Sequence, residues 1–208
     1  SIKFKSSQSI IKNTPINFQG NIDIKPFYLE TNLKTKSFDL NYFFNNSFWF
    51  NEIVKSKLIQ NENLNGKIFI RSDKILKNKI FDSINFVFNI NQGNFNFNDT
   101  VLVSEKIGDL KILDSSFLNN DSKFLQETKV SLNIKNKDEF YKKFLIKKKK
   151  RKDFKKFEVI FEFDTLNKNF KVNKVNFYDL NGKRVFSEKI DDLVENYVDR
   201  RFDYLNSI

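Results

Sequence analysis

The stretch Asp82 to Asn98 constrains the fold of this chain most tightly. It reads Asp-Ser-Ile-Asn-Phe-Val-Phe-Asn-Ile-Asn-Gln-Gly-Asn-Phe-Asn-Phe-Asn. Ile84, Phe86, Phe88 and Ile90 share one parity before Gln92-Gly93, and Phe95 and Phe97 share one parity after it. Side chains of a strand alternate between faces, so the two runs predict a hairpin with one apolar face and one amide-rich face. Gly93 supplies the positive φ that a tight hairpin loop needs. A helix, a second sheet or a non-protein ligand must then cover the apolar face.

The same alternation recurs along the chain. Ile2 and Phe4 open it, and Ile16, Phe18, Ile22 and Ile24 keep one parity across Gly20, where a bulge, a bend or a close backbone approach is expected. Lys25-Pro26 breaks the run, because proline has no donor for a ladder, and Phe27, Leu29, Thr31 and Leu33 form the expected hairpin partner. Strands are also predicted around Ile68 and Ile70, Val101 to Val103, Leu110 and Ile112, and Val130, Leu132 and Ile134. Phe157, Val159, Phe161 and Phe163 place Glu158 and Glu162 on the outer face. Phe170 and Val172 change parity to Val175 and Phe177, which predicts a bulge near Asn173. Asn119 to Ser122 and Asn181-Gly182 read as turns.

Three stretches switch to helical spacing. Phe50, Ile53, Val54 and Leu58 predict a helix over Ser47 to Gln60, and Phe140 and Phe144 predict a short one over Asp138 to Ile146. Ser187 is read as the N-cap of a last amphipathic helix running to Leu205, with Asp191 and Asp192 suiting the dipole at its start. The fold class is therefore α+β and β-dominated: one extended, curved antiparallel sheet with two or three short helices.

Composition narrows the chemistry. The 208 residues contain no cysteine and no histidine, which removes disulfides, Cys or His metal sites and Ser-His or Cys-His nucleophiles. With no phosphate-binding glycine loop and no nucleophile elbow, no catalytic residue, metal or cofactor is assigned and an enzyme is not expected. Asp191-Asp192 and Glu158/Glu162 read as a helix-start pair and an outer strand face. The chain lacks methionine, so it is expected to be a piece of something longer. No apolar run approaches the roughly 20 residues that a spanning helix needs.

A net charge of +11 suits an anionic partner, although Lys, Asn, Ile and Phe, which have AT-rich codons, also raise lysine content without any such partner. The charge peaks at Lys147, Lys148, Lys149, Lys150, Arg151, Lys152, Lys155 and Lys156, against the single acid Asp153. This run reads as a solvated loop, as a contact for anionic lipid headgroups, or as a nucleic-acid contact. No nucleic-acid module accompanies it, so nucleic acid is disfavoured; Lys147 to Lys152 are the headgroup-contact candidates.

A glycine followed by two alternating apolar residues occurs at Gly20, Gly66, Gly93 and Gly108. Together with Ile16-Asn-Phe-Gln-Gly-Asn-Ile-Asp-Ile-Lys-Pro-Phe-Tyr-Leu-Glu-Thr-Asn-Leu33, Leu64-Asn-Gly-Lys-Ile68, Phe95-Asn-Phe-Asn-Asp-Thr100 and Lys106-Ile-Gly-Asp-Leu110, this pattern resembles the C-terminal region of the AsmA-like superfamily, which includes AsmA, TamB and YhdP. The resemblance spans the chain from about Pro15 onward and rests on strand-and-glycine patterns. It implies that residues 1–208 are a single β-rich domain, a fragment of a periplasmic protein anchored in the inner membrane by an N-terminal segment outside this chain. It implies a taco-like β-groove that holds phospholipid acyl chains for transport between the envelope membranes and for outer-membrane integrity. Phospholipid, the bacterial envelope membranes and envelope proteins are the implied partners. The candidate groove residues are Ile84, Phe86, Phe88, Ile90, Phe95, Phe97, Val130, Leu132, Ile134, Phe157, Val159, Phe161 and Phe163; ordinary core under helices is the competing role for the same stripes. A structural module that regulates outer-membrane protein assembly without carrying lipid is the alternative function.

Overall fold

Period-two alternation dictates strands along most of this chain, and strands dominate its structure. A computed structural model describes residues 1–11, 14–40, 61–120, 123–164 and 169–188. The chain divides into two compact units, Ser1–Glu105 and Lys106–Ile208. Each is built on β-sheet, and one α-helix is present among the described residues.

The first unit contains β1 (Ile2–Ile11), β2 (Thr14–Ile24), β3 (Phe27–Thr35), β4 (Gly66–Ser72), β5 (Ser83–Asn91), β6 (Asn94–Asn96) and β7 (Val101–Ser104). Its strand order is β1-β2-β3-β4-β5-β7, with β6 also pairing β5. The β2–β3 hairpin turns at Lys25-Pro26 as expected, and Gly20 marks a close approach. A Cβ at Gly20 would lie 2.2 Å from the Glu30 carbonyl oxygen and 2.5 Å from the ring of Phe4. The β5–β6 hairpin closes Asn91 on Asn94. Both loop residues have positive φ, 49° at Gln92 and 73° at Gly93, as a primed hairpin turn requires. The Gln92 N–H donates to Asn65 Oδ1 at 2.9 Å, and the Gly93 N–H donates to the Leu64 carbonyl at 3.0 Å, which holds the turn against the strand β4 entry. After β6 the chain kinks at Asp99, and the Thr100 hydroxyl bonds both the N–H and the C=O of Val87. That side chain thereby fills the rung missing from the ladder before β7 begins.

The expectation of a wholly antiparallel sheet is corrected here. β3 and β4 run parallel, from Leu29 opposite Gly66 to Thr35 opposite Ser72. The physical reason is the connection: about 30 residues separate the strands, long enough for a crossover, whereas every other neighbouring pair in the unit has a hairpin-scale link or an antiparallel return. The helix predicted over Ser47 to Gln60 falls in this connection and lies outside the described residues.

The second unit contains β8 (Gly108–Asn120), β9 (Lys123–Ile134), α1 (Lys137–Lys143), β10 (Lys156–Asp164), β11 (Asn169–Tyr178) and β12 (Arg184–Glu188), with every neighbouring strand pair antiparallel. Asn136 caps α1, its side-chain oxygen accepting from the N–H groups of Asp138 and Glu139, and the Phe140 and Phe144 rings meet at 4.8 Å. The bulge expected near Asn173 is present: Ile160 pairs with Lys174 and Phe161 with Val172, which leaves Asn173 as the extra residue. It returns Val175 and Phe177 to the face of Val159 and Phe157. At Asn181-Gly182 the loop is longer than two residues, because the Asp179 carboxylate accepts from the N–H groups of Asn181 and Lys183 at 2.9 Å.

Ser187 is not a helix cap. It lies in β12 and pairs with Asn176, so strand pairing overrides the capping signal there; the remainder of the predicted last helix lies outside the described residues.

Candidate functional site

Pairing in register sets side chains of neighbouring strands on one face. In the first unit, one such row runs Phe4, Gly20, Thr31, Ile68, Phe88, and the next runs Phe18, Leu33, Ile70, Phe86. The expected apolar face therefore extends well beyond the hairpin at Asp82 to Asn98. Its burial is graded. Ile84, Phe86, Phe88, Phe95 and Phe97 are buried, Phe86 and Phe88 to 3% and 2% exposure, and Ile90 is half-buried. The Phe88 ring lies 5.1 Å from that of Phe95 and 5.6 Å from that of Phe97, and the Phe86 ring lies 5.3 Å from that of Phe97. Across β2 and β3 the same face is only half-buried at Ile16, Phe18, Ile22, Leu29 and Leu33. At its margin Ile24 is 59% exposed and Ile2 54%.

Two open hollows of about 550 and 510 Å³ flank the Lys25-Pro26 turn, lined in part by Asp23 and Tyr28 and by Glu62 and Gln92 respectively. They lie at strand ends, so the apolar feature of this unit is a surface and not a closed pocket.

In the second unit, α1 and the segment after it fold onto one end of the apolar face. Phe154 is buried and meets Phe177 at 4.8 Å, Phe140 at 5.9 Å, Phe157 at 6.0 Å and Tyr141 at 6.2 Å. Leu132 and Ile134 are fully buried in this unit, whereas Val130, Phe157, Val159, Phe161 and Phe163 are half-buried. Away from Phe154 the face continues through Phe161, whose ring lies 5.0 Å from that of Phe170, and it is interrupted by the buried Thr128 opposite Phe161.

The basic run is more tightly held than a solvated loop. Lys148–Lys150 form a turn of 3-10 helix. Arg151 lies over the Tyr141 ring, 5.1 Å from its centroid, and its Nε donates to the Ile146 carbonyl at 3.2 Å. The Tyr141 hydroxyl donates to the Lys152 carbonyl, and Phe154 pins the far end. Lys147, Lys148, Lys149 and Lys152 remain exposed. Lys156 does not: it lies in β10, ion-paired to Glu158 at 2.7 Å.

Glu158 is a further correction. Alternation placed it outward, and it does oppose the apolar face, but it is only 6% exposed. Lys156, Lys129 at 3.2 Å and the Tyr178 hydroxyl at 3.0 Å surround its carboxylate. Burial pushes its pKa up, but hydrogen bonds from Lys156, Lys129 and Tyr178 outweigh that effect and hold the carboxyl below its ordinary value. Burial first, and then the hydrogen bond to the Glu158 carboxylate and its charge, raise the Tyr178 hydroxyl against the opposing pull of Lys156 and Lys129. Ser131 and Asn176 flank Glu158 in register, and Ser131 Oγ and Asn176 Oδ1 are buried without a hydrogen-bond partner among the described residues. Sequence reasoning missed this node, and it also missed Phe154, whose isolation between Asp153 and Lys155 gives no periodic signal. No group of three or more acidic residues that could hold a metal, and no helix long and apolar enough to cross a membrane, occurs among the described residues.

Comparison with family models, with curated proteins and with solved structures finds no match to this chain.

Proposed function

We propose that this protein is a groove-forming segment of an AsmA-like envelope protein, periplasmic and held to the inner membrane by a segment outside this chain. In this role it shields phospholipid acyl chains on their way between the envelope membranes. The observation that carries the proposal is the graded apolar face of the first unit, filled at β4 to β6 and half-open across β1 to β3. Each aromatic or aliphatic side chain taken out of water contributes roughly 1.5–3 kcal/mol whether protein or an acyl chain covers it. Phe18, Ile22, Leu29 and Leu33, half-buried within this face, therefore gain from an acyl cover. The mechanism is passive: chains lie on the apolar face while headgroups stay in water at its polar margins.

Native mass spectrometry after gentle extraction, combined with photo-reactive groups at Phe18, Leu33 and Phe161, tests this function. Bound phospholipid and lipid crosslinks at those sites are expected, with none from the buried Phe88. Protein that carries no phospholipid and yields no lipid crosslink from any of the sites would overturn the proposal.

The burial of Phe86 and Phe88 favours a second function, a structural module that acts in outer-membrane protein assembly without carrying lipid. That function expects crosslinks from Phe18 and Leu33 to reach protein instead of lipid.

A further inference from the structure

The segment between α1 and β10 carries a feature that neither the apolar face nor the ion-paired strands use. From Lys142 to Lys152 there are eight basic residues and no acid. Lys142, Lys143, Lys147, Lys148, Lys149 and Lys152 are exposed. In the midst of them Leu145 is 66% exposed and adopts φ 53°, a left-handed conformation that a branched side chain rarely takes. Backbone bonds fix it there: the Leu145 N–H donates to the Lys142 carbonyl at 3.2 Å, and the Ile146 N–H turns back to the Tyr141 carbonyl at 2.8 Å. Phe140, Tyr141 and Phe154 are buried, and Phe144 is half-buried with its ring 4.8 Å from that of Phe140. The acids of α1, Asp138 and Glu139, sit in its first turn and each lies 3.9 Å from a cation of the segment, Asp138 from Arg151 and Glu139 from Lys142.

We propose that this loop is a docking point for an anionic membrane surface, with Leu145 entering the interface and the surrounding lysines meeting lipid phosphates. The inference does not rest on acyl chains occupying the sheet face. An exposed aliphatic side chain in a segment rich in cations fits a lipid interface, where apolar burial and headgroup attraction act together. A nucleic acid would instead need displayed aromatic or Arg planes for stacking, and here Tyr141 is buried and Arg151 is folded onto it.

The test is co-sedimentation of the full chain with vesicles of phosphatidylcholine alone and with one third phosphatidylglycerol. Binding to the anionic vesicles only is expected. Each lysine near such a surface is worth roughly a factor of five in partition. Replacing Lys147, Lys148 and Lys149 together by Gln should therefore weaken binding about 100-fold. Replacing the exposed Lys3, Lys5 and Lys34 by Gln removes the same charge and should weaken it far less. Leu145→Ser should weaken it about tenfold at unchanged charge. Circular dichroism of each variant guards against loss of fold. Equal effects of the two lysine triples, or an unaffected Leu145→Ser protein, would overturn the proposal. So would tight binding to a single-stranded oligonucleotide that depends on Lys147 to Lys149 and ignores Leu145, which would assign the loop to nucleic acid. Failure of the acyl-groove function leaves these outcomes unchanged, because the loop residues varied, Leu145 and Lys147 to Lys149, lie between α1 and β10 and outside the strands that carry Phe18 and Phe161, whose own variants should alter lipid carriage without altering vesicle binding.

Discussion

The carboxylate of Glu158 accepts from two lysines and a tyrosine while almost wholly buried. Removing its charge leaves those donors facing a neutral amide, and a hydrogen bond to a charged group is worth about 1.5–3 kcal/mol. Glu158→Gln should therefore lose about that much stability at pH 7, measured by urea unfolding. The pH dependence follows from the lowered pKa. A depressed carboxyl contributes stability above its unfolded value of about 4.3 and loses it as the pH falls through the lower folded value. The wild type and Glu158→Gln should accordingly converge only as the pH falls below the ordinary carboxyl range, through the lowered folded value. Gly20 poses a steric problem. An added methyl would press on the Glu30 carbonyl, which belongs to the paired strand and cannot move aside as a flexible side chain could. Gly20→Ala should destabilise by about 1–3 kcal/mol in thermal unfolding, as overpacking does. Gly20 was legible in the sequence because a glycine within an alternating run has few explanations. Glu158 was not, because its partners come from other strands, Tyr178 being 20 residues away, and alternation alone reads a charge as solvated.

At the scale of elements, the link between β9 and β10 shows how a charged segment acquires structure. Phe154 is the one large apolar side chain between Arg151 and Lys156, and it holds four rings together. Phe154→Ala should cost about 3–5 kcal/mol and release the basic loop. Trypsin should then cut at Lys147 to Lys152 much faster than in the wild type, under conditions where the strands stay folded by circular dichroism. Unchanged cleavage would mean that Arg151 and Tyr141 suffice to anchor the loop. Elements whose determinants are local were readable beforehand. The Gln92-Gly93 turn, the Asn173 bulge and the helix carrying Phe140 each follow from a few adjacent residues. The parallel β3–β4 pair was not readable, since alternation fixes which face a side chain takes but not the direction of the neighbouring strand. Ser187 failed for a related reason: a serine before acidic residues caps a helix only where no strand claims its backbone.

At the scale of the whole molecule, amide exchange decides unit by unit whether the apolar face meets water, protein or lipid. Opening of a strand costs less where fewer apolar contacts hold it, so protection should follow burial. In the first unit, β5 carries Ile84, Phe86 and Phe88 and is paired on both sides, whereas β1 is paired only to β2 among the described strands and carries Ile2 and Ile10 largely in water. The slowest exchange is expected in β5 and the fastest in β1, with β2 and β3 between them. In the second unit, β9 and β10 should be slowest and β12, where Val185 is half exposed, fastest. The decisive comparison adds a short-chain phospholipid. If acyl chains cover the half-open face, protection should rise in β2 and β3 and remain unchanged in β5, whose side chains are already covered. A uniform rise across all strands would indicate general stabilisation, and no rise in β2 and β3 would leave the face without an acyl cover and favour a protein partner. The gradient in burial thus becomes a gradient in response, which distinguishes a lipid-facing wall from an ordinary sheet margin.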